Sequence, residues 1–78
     1  MKDAKHRVTE AYRESLINAR CVIEIMHGED YKYDLFVFDK NATALIEVYC
    51  NHWDYIWEKA KYYSEKHSLE IIDWTENS

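Results

Sequence analysis

From residue 4 to residue 19, apolar or small side chains recur at three- and four-residue intervals: Ala4, Val8, Ala11, Tyr12, Ser15, Leu16 and Ala19. That spacing predicts one stripe of an amphipathic helix. Lys5, Arg7, Glu10, Arg13, Glu14 and Asn18 fall mostly off the stripe. The period then changes. "CVIEIMH" runs up to Gly28, and "YKYDLFVFD" follows a "GED" turn. Two strand-like runs around a glycine-containing turn predict a β-hairpin, with strands over 21–26 and 32–38. The rival is a helix continuing through Ile23 and Met26 with Gly28 as its C-cap. The crowding of β-branched Val22, Ile23 and Ile25 favours strand.

"DKNATALIEVYCNHWDYIWEKAKYYSEKH" reads as a long helix that begins near Asn41 or Thr43, either of which could cap it, and ends near His67. "SLEIIDW" returns as a short strand over 69–74. The expected order is α–β–β–α–β. It implies one small α+β domain spanning 1–78, with a three-stranded, mostly antiparallel sheet packed by two helices.

At about 100° per residue, Leu45, Val48, Tyr49, His52, Ile56, Ala60 and Tyr63 share one side of the long helix. Ile46, Cys50, Trp53 and Trp57 widen that side to nearly half the circumference, beyond an ordinary core stripe. A helix of some 24 residues is about 36 Å long, whereas a seven-residue strand covers about 23 Å. The helix should therefore overhang its sheet. On one reading the first helix covers the excess apolar surface, and the flank of Ile46, Trp53 and Trp57 is core. On the other that flank is an interface, for a hetero-partner or a second copy. Tyr55 and Tyr62, seven apart, lie on the far edge and are of a type enriched at binding hot spots. Glu47, Asp54, Glu58 and Glu65 fall in a narrow band on the opposite face. They form a row able to imitate a phosphate backbone, or simply a solvated face shared with Lys61 and Lys66.

Composition narrows the partner. The 78 residues carry 15 acidic and 10 basic side chains, a formal net charge of −5, which disfavours direct contact with nucleic-acid phosphates. Lys2, Lys5, Arg7, Arg13 and Arg20 give a basic first helix, but Glu10 and Glu14 interrupt it. Hydrophobic residues are 47%, enough for a core, yet no segment approaches the roughly 20 apolar residues of a membrane span. "MKDAKHRVTEAYRES" has a basic start with no apolar run behind it, so no signal peptide is expected. Cys21 and Cys50 are too few for a disulfide framework and are expected as reduced thiols in a cytoplasmic protein.

Candidate chemistry thins out under spacing. Cys50 and His52, two apart on the expected helix, would diverge by about 200°, which disfavours both a metal pair and a nucleophile–base pair. Cys21, His6, His27 and His67 show no CxxC or HxxxH spacing, and a structural zinc site needs four converging ligands. There is no serine elbow and no glycine-rich phosphate loop. The expectation is a protein with no catalytic residues, no metal site and no cofactor.

No motif identifies a family. In size and in acidic, glycine-poor composition the chain resembles small phage and mobile-element proteins, among them anti-CRISPR proteins and inhibitors of host polymerases. The resemblance implies a non-enzymatic inhibitor or adaptor that occludes a partner's surface, such as a basic nucleic-acid-binding groove. The expected binding residues are Glu47, Asp54, Tyr55, Glu58, Tyr62 and Glu65, with Ile46, Trp53 and Trp57 as a second interface. The alternative is a self-associating domain, a homodimer without nucleic-acid mimicry.

Overall fold

The computed structural model describes residues 4–10, 12, 17 and 20–75. The chain forms β1 (Ala4–Val8), β2 (Val22–His27), β3 (Tyr33–Phe38), β4 (Ala44–Cys50), helix α1 (Trp53–His67) and β5 (Glu70–Asp73). The strands make one mixed sheet in the order β1-β4-β3-β2-β5. All neighbours are antiparallel except β2 and β5, which run parallel. The expected three-stranded sheet with two helices is thus replaced by five strands and, among the described residues, one helix.

Two segments account for the difference. Residues 4–8 are an edge strand, not the start of a helix: Ala4, His6 and Val8 pair with the inward-facing Cys50, Val48 and Ile46, while Lys5 and Arg7 lie on the other face. Of the rest of that expected helix, residues 11, 13–16, 18 and 19 lie outside the described residues. The segment read as the first turns of the long helix is β4. Its entry is fixed by Asp39, whose Oδ1 accepts the backbone N–H groups of Asn41 and Thr43 at 2.8 and 2.9 Å. An Asp closing a turn in this way competes with helix initiation. The β-branched Ile46 and Val48 then alternate with Glu47 and Tyr49, as a half-buried strand requires. A bulge opposite Val37 and Phe38 lets Leu45 be buried beside Ile46. The Leu45 carbonyl accepts both the N–H and the hydroxyl of Thr9, at 2.9 Å each.

The hairpin of β2 and β3 is present, and its register places Ile25 beside Leu35 and Ile23 beside Val37. Helix α1 has fifteen residues, about 22 Å at 1.5 Å each. That length matches the six- and seven-residue strands beneath it, so the expected overhang does not arise. His52 takes the N-cap position in extended backbone without a side-chain cap bond, and Ser68 ends the helix in the left-handed region, with φ of 57°. Ile56, Ala60 and Tyr63, spaced four and three apart, are the buried stripe.

The core lies between that stripe and one face of the sheet. Ile23, Ile25, Leu35, Val37, Ile46 and Val48 are fully buried there, joined by Cys21, Cys50 and Leu69. Both cysteines are free thiols within this core. His6 shares a hydrogen bond of 2.9 Å with the Tyr63 hydroxyl, tying the edge strand β1 to the helix.

Ile46 is therefore a core residue and not part of an exposed flank. Ile46→Ala is expected to lower the unfolding free energy by about 2–5 kcal/mol, the usual cost of such a cavity. Urea denaturation checks this, and a loss under about 1 kcal/mol would contradict the packing described.

Candidate functional site

Helix α1 covers one face of the sheet. Among the described residues no helix or strand packs on the other. Strand alternation and the pairing registers fix what that open face carries. One row across the sheet reads Arg7, Glu47, Phe36, Glu24 and Ile72 on β1, β4, β3, β2 and β5. The next row reads Lys5, Tyr49, Asp34 and Met26. At the far end Phe38 lies beside Val22 and Ala44, and Val22 beside Glu70.

A solvated antiparallel face usually alternates polar residues against the buried ones. Here Phe36 and Phe38 stack at 5.3 Å, Tyr49 meets Phe36 edge-on at 5.9 Å, and Tyr31 from the β2–β3 turn stacks on Tyr49 at 5.9 Å. These four rings form a continuous aromatic path. Each is only half-buried, because its neighbours are other rings standing on the same sheet. At one edge Trp74 is 62% exposed, and its indole N–H donates to Glu24 at 3.0 Å.

Charge is unevenly spread over this face. Lys5 and Arg7 lie on β1; Glu47, Asp34, Glu24 and Glu70 lie on the four strands beyond it. Arg7 approaches Glu47 at 3.9 Å, and the Tyr49 hydroxyl donates to Glu47 at 3.0 Å. Burial first, then the bond to Glu47 and the Glu47 charge, pushes the Tyr49 phenol up to about 12, so it stays a neutral donor. Burial, followed by the charges of Asp30 and Glu29, raises Asp34 above its ordinary 3.8. Beside these residues an open depression of about 850 Å³ runs from Lys5 and Arg7 to Gly28, Asp30 and Asn51. The Asn51 side-chain carbonyl accepts the Lys32 N–H at 3.0 Å and holds the turn over the end of β4. The depression has charges of both signs and a tyrosine wall. These groups can recognise and hold a surface.

The residues expected from sequence are divided between the two sides of the molecule. Glu47 is on the open sheet face, so it cannot form a row with Asp54, Glu58 and Glu65, which are exposed on α1. Lys61 is exposed on that same helix; Lys59 sits 5.4 Å from the Tyr55 ring centre and Lys66 5.4 Å from that of Tyr62. The helix surface is therefore mixed in charge. Tyr62 is 51% exposed and Tyr55 is half-buried. Trp53 stacks on Trp57 at 5.9 Å and meets Tyr33 edge-on at 5.4 Å, which leaves Trp57 at the margin of the fold, 36% exposed. Phe36, Phe38, Tyr49 and Arg7 were not singled out by sequence as binding residues. For Phe36 and Phe38 the signal is the apolar character of both parities of "LFVF", the mark of a strand with two dry faces; Tyr49 and Arg7 carry no such local signal. Compared with known protein families, curated proteins and solved structures, the chain matches none.

A raised carboxylate is a local cost at neutral pH. With the folded value of Asp34 above its unfolded one, the folded state binds the extra proton, and stability falls as pH rises through that window. Asp34→Asn is accordingly expected to stabilise the protein at pH 7, with the gain disappearing as pH drops below about 3.8. Thermal melts of both proteins across that range test it, and an Asn variant less stable than the wild type at pH 7 contradicts it.

Proposed function

We propose that this chain is a non-enzymatic protein-binding domain that acts by covering a protein surface, and that the open sheet face is its contact surface. The observation that carries the reading is the aromatic path Tyr31–Tyr49–Phe36–Phe38 on a sheet face that no described helix or strand covers. Aromatic residues with a polar rim are the composition of an interface centre. The face has two cations against four carboxylates among its described residues, so phosphate backbones and anionic lipid are repelled. A protein surface with an apolar centre and at least two basic side chains is the complement it fits. The resemblance to small phage proteins gives surface occlusion as a mode of action. The sheet face supplies a better-formed contact than the mixed-charge helix surface.

Replacing Phe36 by a photo-crosslinking phenylalanine, and in parallel Glu58 on the helix, tests the placement in the native host. Irradiation is expected to join position 36 to a protein chain and to leave position 58 without an adduct. Adducts from position 58 and none from position 36 would move the contact surface to α1.

A further inference from the structure

Resting on that reading of the open face, we propose that its occupant is a second copy of this chain. The two sheets would pack face to face about a two-fold axis lying along the strands, between β3 and β4.

An isologous interface requires one surface to complement itself after a half-turn. Rotation about this axis keeps each cross-strand row at its own level and lays β4 on β3, and β1 on β2, of the other copy. In the first row, Arg7 then meets Glu24 of the second copy, and Glu24 meets its Arg7. Phe36 faces Glu47, whose charge is already shared with Arg7 and the Tyr49 hydroxyl. In the second row, the Tyr49 phenol faces Asp34, and the Lys5 stem faces Met26. At the third level the Phe38 ring faces the small Ala44. Each opposite-charge contact occurs twice, once on either side of the axis.

The geometry tolerates the natural twist. Packed sheets lie about 10 Å apart with strands inclined by about 30°. At about 4.8 Å per strand, Arg7 and Glu24 sit roughly 7 Å from the axis, so that inclination displaces the pair by only about 4 Å. An arginine side chain spans that offset. A half-turn about β3 itself would instead set Glu47 on Glu24 and Asp34 on Asp34. The charge pattern selects the offset axis.

Light scattering and sedimentation of the full chain at tens of micromolar are expected to give the mass of two chains. Arg7→Glu places like charges at both ends of the interface, and so does Glu24→Arg. Each variant alone is expected to self-associate at least about tenfold more weakly, a loss of about 1.4 kcal/mol. Mixed in equal amounts, the two variants are expected to form a heterodimer with affinity near that of the wild type, because both contacts become opposite-charge pairs. Circular dichroism confirms that each variant is folded. A second measurement, the crosslink from position 36, is expected to map to β4 of another copy. A wild-type monomer at these concentrations overturns the proposal, as does a mixture that stays monomeric. If the wild type is a monomer but position 36 crosslinks to a different protein, the second copy is ruled out and the contact face stands. If it is a monomer and position 36 crosslinks to nothing, both readings fail.

Discussion

One fifteen-residue helix covers one face of a five-stranded sheet, and the remaining organisation follows from that constraint. The inward residues of the three central strands meet Ile56, Ala60 and Tyr63 and close a core with no buried charged side chain among the described residues. Helix and strands have nearly the same length, so the helix is consumed by this one contact. What the strands carry on their other side has no counterpart in the same chain among the described helices and strands. In a small domain, where the fraction of surface buried is low, the seven apolar or aromatic side chains left on one plane (Val22, Met26, Phe36, Phe38, Ala44, Tyr49 and Ile72) are a substantial share of the apolar material.

The same constraint divides the charges. Polar side chains on α1 interleave acids with lysines, and two of the lysines, Lys59 and Lys66, lie over tyrosine rings, as on a water-facing helix. On the sheet, cations occupy one edge strand and carboxylates the strands beyond it. An uneven distribution of this kind sets a directional field across the face and adds little to the stability of the fold. The raised Asp34 fits this division: its side chain lies so close to Gly28 that a Cβ added there would collide with it and with the Tyr31 carbonyl. The turn there is shaped around a carboxylate that folding alone does not favour.

Much of the hairpin could be read from sequence, because Gly28 and the β-branched residues before it give local signals that agree. The helix from Trp53 to His67 was also legible, including its end. Strand β4 was not, for a specific reason: Leu45, Val48, Tyr49 and His52 have helical spacing, while Ile46, Glu47, Val48, Tyr49 and Cys50 have strand alternation, and both patterns occupy the same residues. The burial of Leu45 in a bulge supplied the misleading member. The arbitrating features were the Asp39 turn and the β-branched pair Ile46 and Val48. Strand β1 failed differently. Five residues rich in charge have little intrinsic strand character, and the strand exists because β4 offers it a partner. With β4 read as helix, Glu47 falls in line with Asp54 and Glu58, and β3 and β4 share no aromatic plane.

The two outer strands have a separate consequence. β1 presents Lys5, His6 and Arg7 in succession, and β5 is only four residues long, beginning with Glu70 and ending with Asp73. A charged edge and a very short edge are both poor templates for another backbone to add to. Lateral growth of the sheet, the route to ribbons and amyloid-like fibres, is blocked at both margins even though the chain is rich in β-branched and aromatic residues. A sequence with this much strand-forming material carries its guard against edge-to-edge pairing in the charge of one outer strand and the shortness of the other.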